Sequence, residues 1–462
     1  MWPIAAEDLW LLRNSKEFDA EWYLSRYPDV RAVGLDPAVH YLRYGFRIGR
    51  DPGPDFSTRF YQNAFASQVK GREPLTTLAR QQQPEVDRHR VFLAAYRVFE
   101  TGAHQQALEL ANRYLGVNER HTLDILRANV ALAERDDLGW LTAVNAYLSH
   151  FGMASISLAQ PVEPESSHFD RLTARPVTPV RDGPMISVLM AVHNASSSLE
   201  QAVRSVLNQS WQNLELIIVD DCSSDDSWAV LQGLATEDAR VQLRHLPVNV
   251  GPYVARNLAL GMANGEWITC HDADDWAHPC RLETHLGTVL KSSVPDPASL
   301  TYMVRMQPNG YFDTIVNANP FSPDGVTRIS SVSALYNAKF LKEKLGFWDS
   351  VRVGADSEMI ARAEVVLGRD ISKLSQIGML CLSTEQGLTR DPVLGVRLRG
   401  QLSPARTAYK ESWSAVHRSV PPDQLYLPFP QKNRRYQGDF GFSVPYRDIF
   451  ALYDPSGPTH GC

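Results

Sequence analysis

The 462-residue chain has only five cysteines, Cys222, Cys270, Cys280, Cys381 and Cys462, odd in number and widely spaced. No CxxC pair stands among them, so neither a disulfide framework nor a zinc site is expected. No window approaches the run of about 18 apolar residues that a membrane span needs. The opening MWPIAAEDLWLLRNSKEF lacks a basic stretch leading into an apolar core, which reads as the absence of a signal peptide. Positive charge is not in excess: 46 Lys and Arg against 52 Asp and Glu leave a formal net charge of -6, arguing against a nucleic-acid partner. Glycine-rich phosphate loops are missing as well. Neither GxGxxG nor GxxxxGK[ST] is present, which removes the main support for a dinucleotide-binding Rossmann domain or a P-loop. What remains is an ordinary globular composition, 44% apolar and 21% charged, in a chain long enough for roughly two to four domains. A reducing, cytoplasmic compartment fits these absences.

Residues 1–84 form an aromatic-rich helical module. Trp22, Tyr23 and Tyr27, then Tyr41, Leu42 and Tyr44, fall at near-helical spacing with Pro28, Gly34 and Pro37 between them, predicting two short helices around a turn. These rings are expected to pack in a core. Over 85–159, VFLAAYRVFETGAHQQALELANRYL and TLDILRANVALAERDDLGWLTAVNAYL are amphipathic segments of helical-hairpin length. The first resembles a tetratricopeptide unit, with Gly102 and Ala107 in fitting places. Residues 160–184 hold five prolines and little periodicity, and read as a linker.

A different pattern starts at Met185. ISVLMAV (186–192) is a continuous apolar run suited to a buried parallel strand. Ser197 and Ser198, each followed three residues later by Glu200 or Gln201, predict a capping box. LELIIV (214–219) ends in Asp220-Asp221, a helix surrounds Trp228, Leu231 and Leu234, and a strand follows near 241–245. A helix over 253–263 breaks at Asn264-Gly265 before the strand EWITCH. Strand and helix alternate, so 185–400 is expected to be an α/β domain with a mixed, mostly parallel sheet, preceded by an all-α region. Residues 401–462 form a C-terminal extension of no legible role.

Ligands of such sheets lie beyond the carboxyl ends of the strands, where this sequence places His193-Asn194, Asp220-Asp221 and the run Asp272-Ala273-Asp274-Asp275. Three carboxylates in four positions repel one another unless a cation sits among them. Asp272 and Asp274 offer the hard oxygen ligands that Mg²⁺ or Mn²⁺ accepts. Taken singly, each feature has a plainer explanation: a D-x-D is commonly a solvated turn, Asp356 is placed to cap the helix that follows it, and Arg256 could pair with any surface acid.

In combination and order, these segments resemble the inverting GT-A-fold glycosyltransferases of family two, of the bacterial cell-surface polysaccharide type. The resemblance is carried by ISVLMAVHNASSSLEQAVRSVLNQSWQNLELIIVDDCSSDDSW, NVGPYVARNLALGMANGEWITCHDADDW and LGFWDSVRVGADSEMIARA, within residues 185–365. It implies that Asp220 reads the uracil edge, that Arg256 faces the nucleotide, and that His193, Asn194 and Asp221 border the nucleotide-sugar pocket. It also implies that Asp272 lies near the ribose and metal, that Asp274 binds the Mn²⁺ or Mg²⁺ bridging the diphosphate, and that Asp356 is the general base. The implied reaction moves a sugar from a nucleotide donor, a UDP-sugar, to a hydroxyl of a glycan or glycoconjugate acceptor, in the cytoplasm with peripheral contact at the inner membrane. Residues 1–160 would then be free to engage a protein partner.

The departures from the family pattern are His193 in Ala191-Val192-His193-Asn194 where P-T-Y-N is usual, Cys222 where Gly is usual, and Ala355 where Glu precedes the base. QKNRRY at 431–436 only approaches the QxxRW of processive synthases, so a non-processive enzyme is expected. The stretch FDAEWYLSRYPDV…DPAVHYLRYGFRIGRDP also resembles a short module attached to bacterial surface-polysaccharide glycosyltransferases. Two other readings share parts of the pattern. One is a sugar-nucleotidyltransferase, whose glycine-rich first loop is missing from AVHNASSS, and the other is a non-catalytic nucleotide-binding scaffold.

Overall fold

A computed structural model describes residues 4–81, 85–116, 120–161, 166–174, 177–313, 325–384, 391, 393–395, 402–438 and 440–452. Two compact units divide the chain, Met1–Tyr147 and Leu148–Cys462. No helix among the described residues is long and apolar enough to cross a membrane.

Among the described residues the first unit is helical, with one isolated bridge between Gly53 and Phe56. Where the sequence predicts two short helices around a turn, there are three: Ala20–Arg26, Pro28–Val33 and Pro37–Arg43. Proline begins the latter two, where its missing N–H costs nothing, and Gly34 closes the middle one at φ 68°. Asp19 and Asp36 cap their helices by accepting the Trp22 and Val39 N–H groups at 2.9 and 3.0 Å. Not all of the rings pack inward: Trp22 and Tyr27 are half-buried and Tyr44 is exposed. Tyr23 and Tyr41 are fully buried, with the Tyr23 hydroxyl 2.9 Å from His40 Nδ1 and the Tyr41 hydroxyl donating to Glu73 at 3.0 Å. The helices Arg88–Phe99, His104–Tyr114, Arg120–Ala133 and Asp137–His150 follow, Arg88–Phe99 packing on His104–Tyr114 and the last running past Tyr147. Gly102 makes the first turn at φ 86°, and Ala107 is buried.

In the second unit β1 (Ile156–Leu158) pairs antiparallel with β2 (Leu172–Ala174). The expected linker is therefore partly built structure: it contributes β2, and Val180 exchanges backbone hydrogen bonds with Ser210 and Gln212 at 2.7 and 2.8 Å. Its prolines fall outside these paired positions, which is how a proline-rich stretch can still lend strands. The remaining strands are β3 (Ile186–Val192), β4 (Leu214–Asp220), β5 (Val241–His245), β6 (Trp267–Asp272), β7 (Trp276–Ala277), β8 (Ala298–Met306), β9 (Arg328–Ile329), β10 (Leu335–Asn337) and β11 (Ser372–Leu382). They form one mixed sheet in the order β5-β4-β3-β6-β10-β8-β11-β7, with β9 on β8. The first four of that order run parallel, while β10 is antiparallel to both of its neighbours.

Residues of β3 alternate between two cores, as a strand covered on both faces must. Ile186, Val188, Met190 and Val192 pack with the helix Leu199–Leu207, whereas Leu189 packs with Val254 and Leu258 of the helix Pro252–Met262. The capping box does not form. Ser198 donates to the carbonyls of Ala195 at 3.4 Å and Ala273 at 3.1 Å, and Glu200 instead pairs with Arg204. A carbonyl of the D-x-D turn lies within reach and takes the hydroxyl that would have capped the helix.

The expected boundary at 400 is likewise not a domain boundary. Tyr409, Trp413, Tyr436, Phe440 and Phe442 of the C-terminal extension share one core with Val254, Leu258 and Met359. At its centre Glu358 and Arg362 are wholly buried, 3.0 Å apart. Arg362 also donates to the Leu345 and Phe347 carbonyls at 2.5 and 2.8 Å, while His417 and Tyr436 meet Glu358 Oε1. Arg362→Ala would strand the Glu358 charge in the core, and is expected to cost about 3–5 kcal/mol. Urea unfolding measures this, and a loss below ~1 kcal/mol would contradict the assignment.

Candidate functional site

Register brings the site together. Val192 lies opposite Asp220 and Ala191 opposite Asp272 in the parallel ladders of β3 with β4 and β6. The loops carrying His193-Asn194, Asp220-Asp221 and Asp272–Asp275 therefore leave the same edge of the sheet. Asn194 turns the first loop in the left-handed region at φ 49°, a conformation Asn tolerates. Its Oδ1 accepts the Ser224 N–H at 2.8 Å, and Ser223 Oγ accepts its own N–H at 3.0 Å, tying the first loop to the second. His193 and Asn194 are exposed, and His193 Nδ1 lies 2.9 Å from the Asp221 carbonyl.

Asp220 is fully buried. Its Oδ2 is met by the Ser223 N–H at 3.2 Å and by His245 Nδ1 at 2.8 Å, while Oδ1 is buried with no hydrogen-bond partner. Asp221 is committed to backbone: Oδ1 accepts Val250 N–H and Oδ2 accepts Gly251 N–H, both at 2.7 Å. Those bonds fix the turn into the helix Pro252–Met262, so Asp221 supports the residues that helix delivers. Each has a distinct task. Ala255 is buried in the core, Arg256 reaches the site, and Asn257 exchanges hydrogen bonds with the Trp348 backbone at 2.8 and 2.9 Å.

Asp272, Asp274 and Asp275 bring carboxylate oxygens within 4.8 Å of one another. Burial first, then the Asp272 charge, raises the Asp274 carboxyl to about 6; burial and both neighbours push Asp275 well above the usual range. Acids that resist ionising together are suited to a divalent cation, and an all-oxygen donor set suits Mg²⁺ or Mn²⁺. Asp275 has a structural tie as well, since its Oδ1 accepts the Leu382 N–H of β11 at 3.0 Å. Beneath the acids, buried His271 is held neutral, burial pushing it down to about 3. Arg281 donates to its Nδ1 at 3.1 Å, so its Nε2–H donates to the Asp275 carbonyl at 3.1 Å. Arg281 itself is buried and also donates to Thr269 Oγ1 at 3.0 Å and the Cys270 carbonyl at 2.8 Å.

Asp356 stands in the first turn of the helix Ala355–Leu367, whose N-cap is Gly354 at φ 87°. Its carboxylate turns toward the acids. Oδ2 accepts the Tyr253 hydroxyl at 2.8 Å, and Oδ1 lies 3.2 Å from Arg256 Nη1. Through Nη2 the same guanidinium holds Asp272 Oδ1, and it lies 5.2 Å from the Tyr253 ring. Burial raises the Asp356 carboxyl, and Arg256 opposes that rise. Sequence reasoning missed Tyr253 and Arg281. Tyr253 had a usable signal, because positions three apart on a helix share a face and it precedes Arg256 by three. In the near-match QKNRRY, Arg434 donates to Asp349 Oδ2 at 2.6 Å, a bracing contact in the C-terminal extension.

Residues 187–315 match the family described as Glycosyl transferase family 2. Over 109 residues the chain is 43% identical to an uncharacterized glycosyltransferase of Haemophilus influenzae, covering 24% of this chain and 44% of that one. It is 35% identical over 100 residues to the glycosyltransferase GlyG of Streptococcus pneumoniae, covering 22% and 33%. It is 38% identical over 99 residues to the succinoglycan biosynthesis protein ExoO of Rhizobium meliloti, covering 21% and 28%. The chain thus spans less than half the length of each of these relatives.

Proposed function

Because the chain carries a glycosyl transferase family 2 domain, we propose that it is an inverting, metal-dependent glycosyltransferase of bacterial surface-polysaccharide synthesis. Its donor is a nucleotide sugar, a UDP-sugar, and its acceptor a hydroxyl of a glycan or glycoconjugate. The observation that carries this reading is the single guanidinium of Arg256 in contact with both Asp272 and Asp356, which joins a candidate cation site to a candidate base.

In this reading Asp356 accepts the proton of the acceptor hydroxyl as its oxygen attacks the anomeric carbon, while the nucleoside diphosphate departs from the opposite face. Tyr253 keeps the carboxylate oriented through Oδ2. Asp220 presents Oδ1, an unmet acceptor, to the imide N–H of uracil, and His193 and Asn194 border the base. Mn²⁺ or Mg²⁺ held by Asp272 and Asp274 would supply charge neutralisation for the leaving diphosphate. The name of the succinoglycan relative supports the polysaccharide context. Residues 1–160 serve a protein partner or the acceptor, and the protein works in the cytoplasm with peripheral contact at the inner membrane.

The test is incubation of the full chain with a panel of UDP-sugars, Mn²⁺ and candidate glycan acceptors, following UDP release. Acceptor-stimulated UDP release that EDTA abolishes is expected. Pyrophosphate release would point to nucleotidyl transfer, and binding without turnover of any donor to a scaffold; either result overturns the proposal.

A further inference from the structure

Resting on the reading that a divalent cation binds at Asp272 and Asp274, we propose that Arg256 is a positioning residue that holds Asp272 and Asp356 together until a cation takes Asp272 from it. The side chain is only 4% exposed, and its two terminal nitrogens divide between the carboxylates, Nη2 to Asp272 and Nη1 to Asp356 at 3.2 Å. Its Nε is buried with no hydrogen-bond partner, so the fork is committed to these two acids. The two ends differ in access. The Asp272 side chain is 41% exposed and that of Asp356 19%, so a cation arriving from solvent meets the Asp272 end first. Asp356 keeps a second anchor in the Tyr253 hydroxyl at 2.8 Å, whereas no other side chain among the described residues donates a hydrogen bond to Asp272. The contact with Asp272 is therefore the one that yields.

Two consequences follow. In the cation-free protein Arg256 occupies an oxygen that a metal would use, and so lowers metal affinity. It also covers Asp356 Oδ1, which becomes available to an acceptor hydroxyl once the guanidinium is drawn toward a bound diphosphate. Donor and cation binding would thereby precede activation of the base, and the coupling must be reciprocal.

Mn²⁺ alone is the probe, titrated into the full-length protein and followed as free Mn²⁺ by electron paramagnetic resonance. Arg256→Gln is expected to bind Mn²⁺ roughly tenfold more tightly than wild type, the worth of about one hydrogen bond to a charged group. Arg256→Lys should also tighten binding, because it keeps the charge but loses the planar fork that spans two carboxylates. Unchanged affinity in both, or tightening in Gln alone, overturns the inference; the latter would reflect the loss of a charge and not of the bridge. Should neither Arg256 variant fold, Asp356→Asn leaves Arg256 to Asp272 alone and should weaken Mn²⁺ binding, and unchanged affinity there overturns the inference equally. UDP separates this failure from that of the cation site. Wild type that retains Mn²⁺ with UDP while the variants show no tightening defeats only the role of Arg256. Wild type that retains none with UDP defeats the cation site and the inference together.

Discussion

Asp356→Asn is expected to slow transfer roughly a thousandfold at saturating UDP-sugar and Mn²⁺, beyond any weakening of Mn²⁺ binding from leaving Arg256 to Asp272 alone, since a positioned general base contributes about 10²–10⁴ in rate. Asn keeps the shape and can still meet Tyr253, but it presents no charge to Arg256 and cannot take the proton of an attacking hydroxyl. The pH profile separates this from a structural effect. Burial, opposed by Arg256, raises the Asp356 carboxyl, so the group stays protonated to a higher pH than an ordinary aspartate. Wild-type transfer should therefore rise with pH through that elevated value and fall below it, and the Asn variant should lose this limb. A variant that retains more than about a tenth of the wild-type rate, or keeps the same limb, would remove Asp356 from the role of base.

Asp274→Asn should affect binding and stability in opposite directions. With Mn²⁺ present, UDP affinity is expected to fall at least about a hundredfold, since one carboxylate of the cation site is gone; with EDTA it should not change. Stability without cation should rise. Burial and the Asp272 charge lift the Asp274 carboxyl from 3.8 to about 6, so its charged form is disfavoured in the folded protein. The unfolded chain ionises this acid between those two values while the folded protein resists, and wild type loses stability as pH rises through that window. At neutral pH in EDTA the Asn variant should therefore melt at a higher temperature than wild type, and Mn²⁺ with UDP should raise the wild-type melting temperature but not that of the variant. Equal melting temperatures in EDTA would mean that the acids are not held against their own repulsion.

Much of this arrangement was legible because it is local in sequence. The unbroken apolar runs of β3 and β4, the polar residues at their ends and the spacing Asp272-Ala273-Asp274 each reveal themselves within a few residues. The bond between Arg256 and Asp356 spans 100 residues, and no local pattern predicts it. The three-residue strand β10, which enters between β6 and β8, gives too short a run to register as a period. Asp221 looked like a ligand because acidic pairs at strand ends often are. Its two oxygens are engaged by the Val250 and Gly251 N–H groups, a choice fixed by a turn some thirty residues on. Composition misled in 160–184, where prolines flank paired positions and do not prevent pairing. It was silent in 401–462, whose aromatic side chains complete a core built mainly by preceding segments.

The central claim is that a nucleoside diphosphate binds beside Asp220 through a cation held at Asp272 and Asp274. Calorimetric titration of UDP into the full-length protein, once with Mn²⁺ and once with EDTA, tests it most directly. Saturable binding with Mn²⁺ that is lost in EDTA, and lost with Mn²⁺ in Asp274→Asn, is the expected result. UDP binding of equal strength in Mn²⁺, in EDTA and in the variant would contradict it.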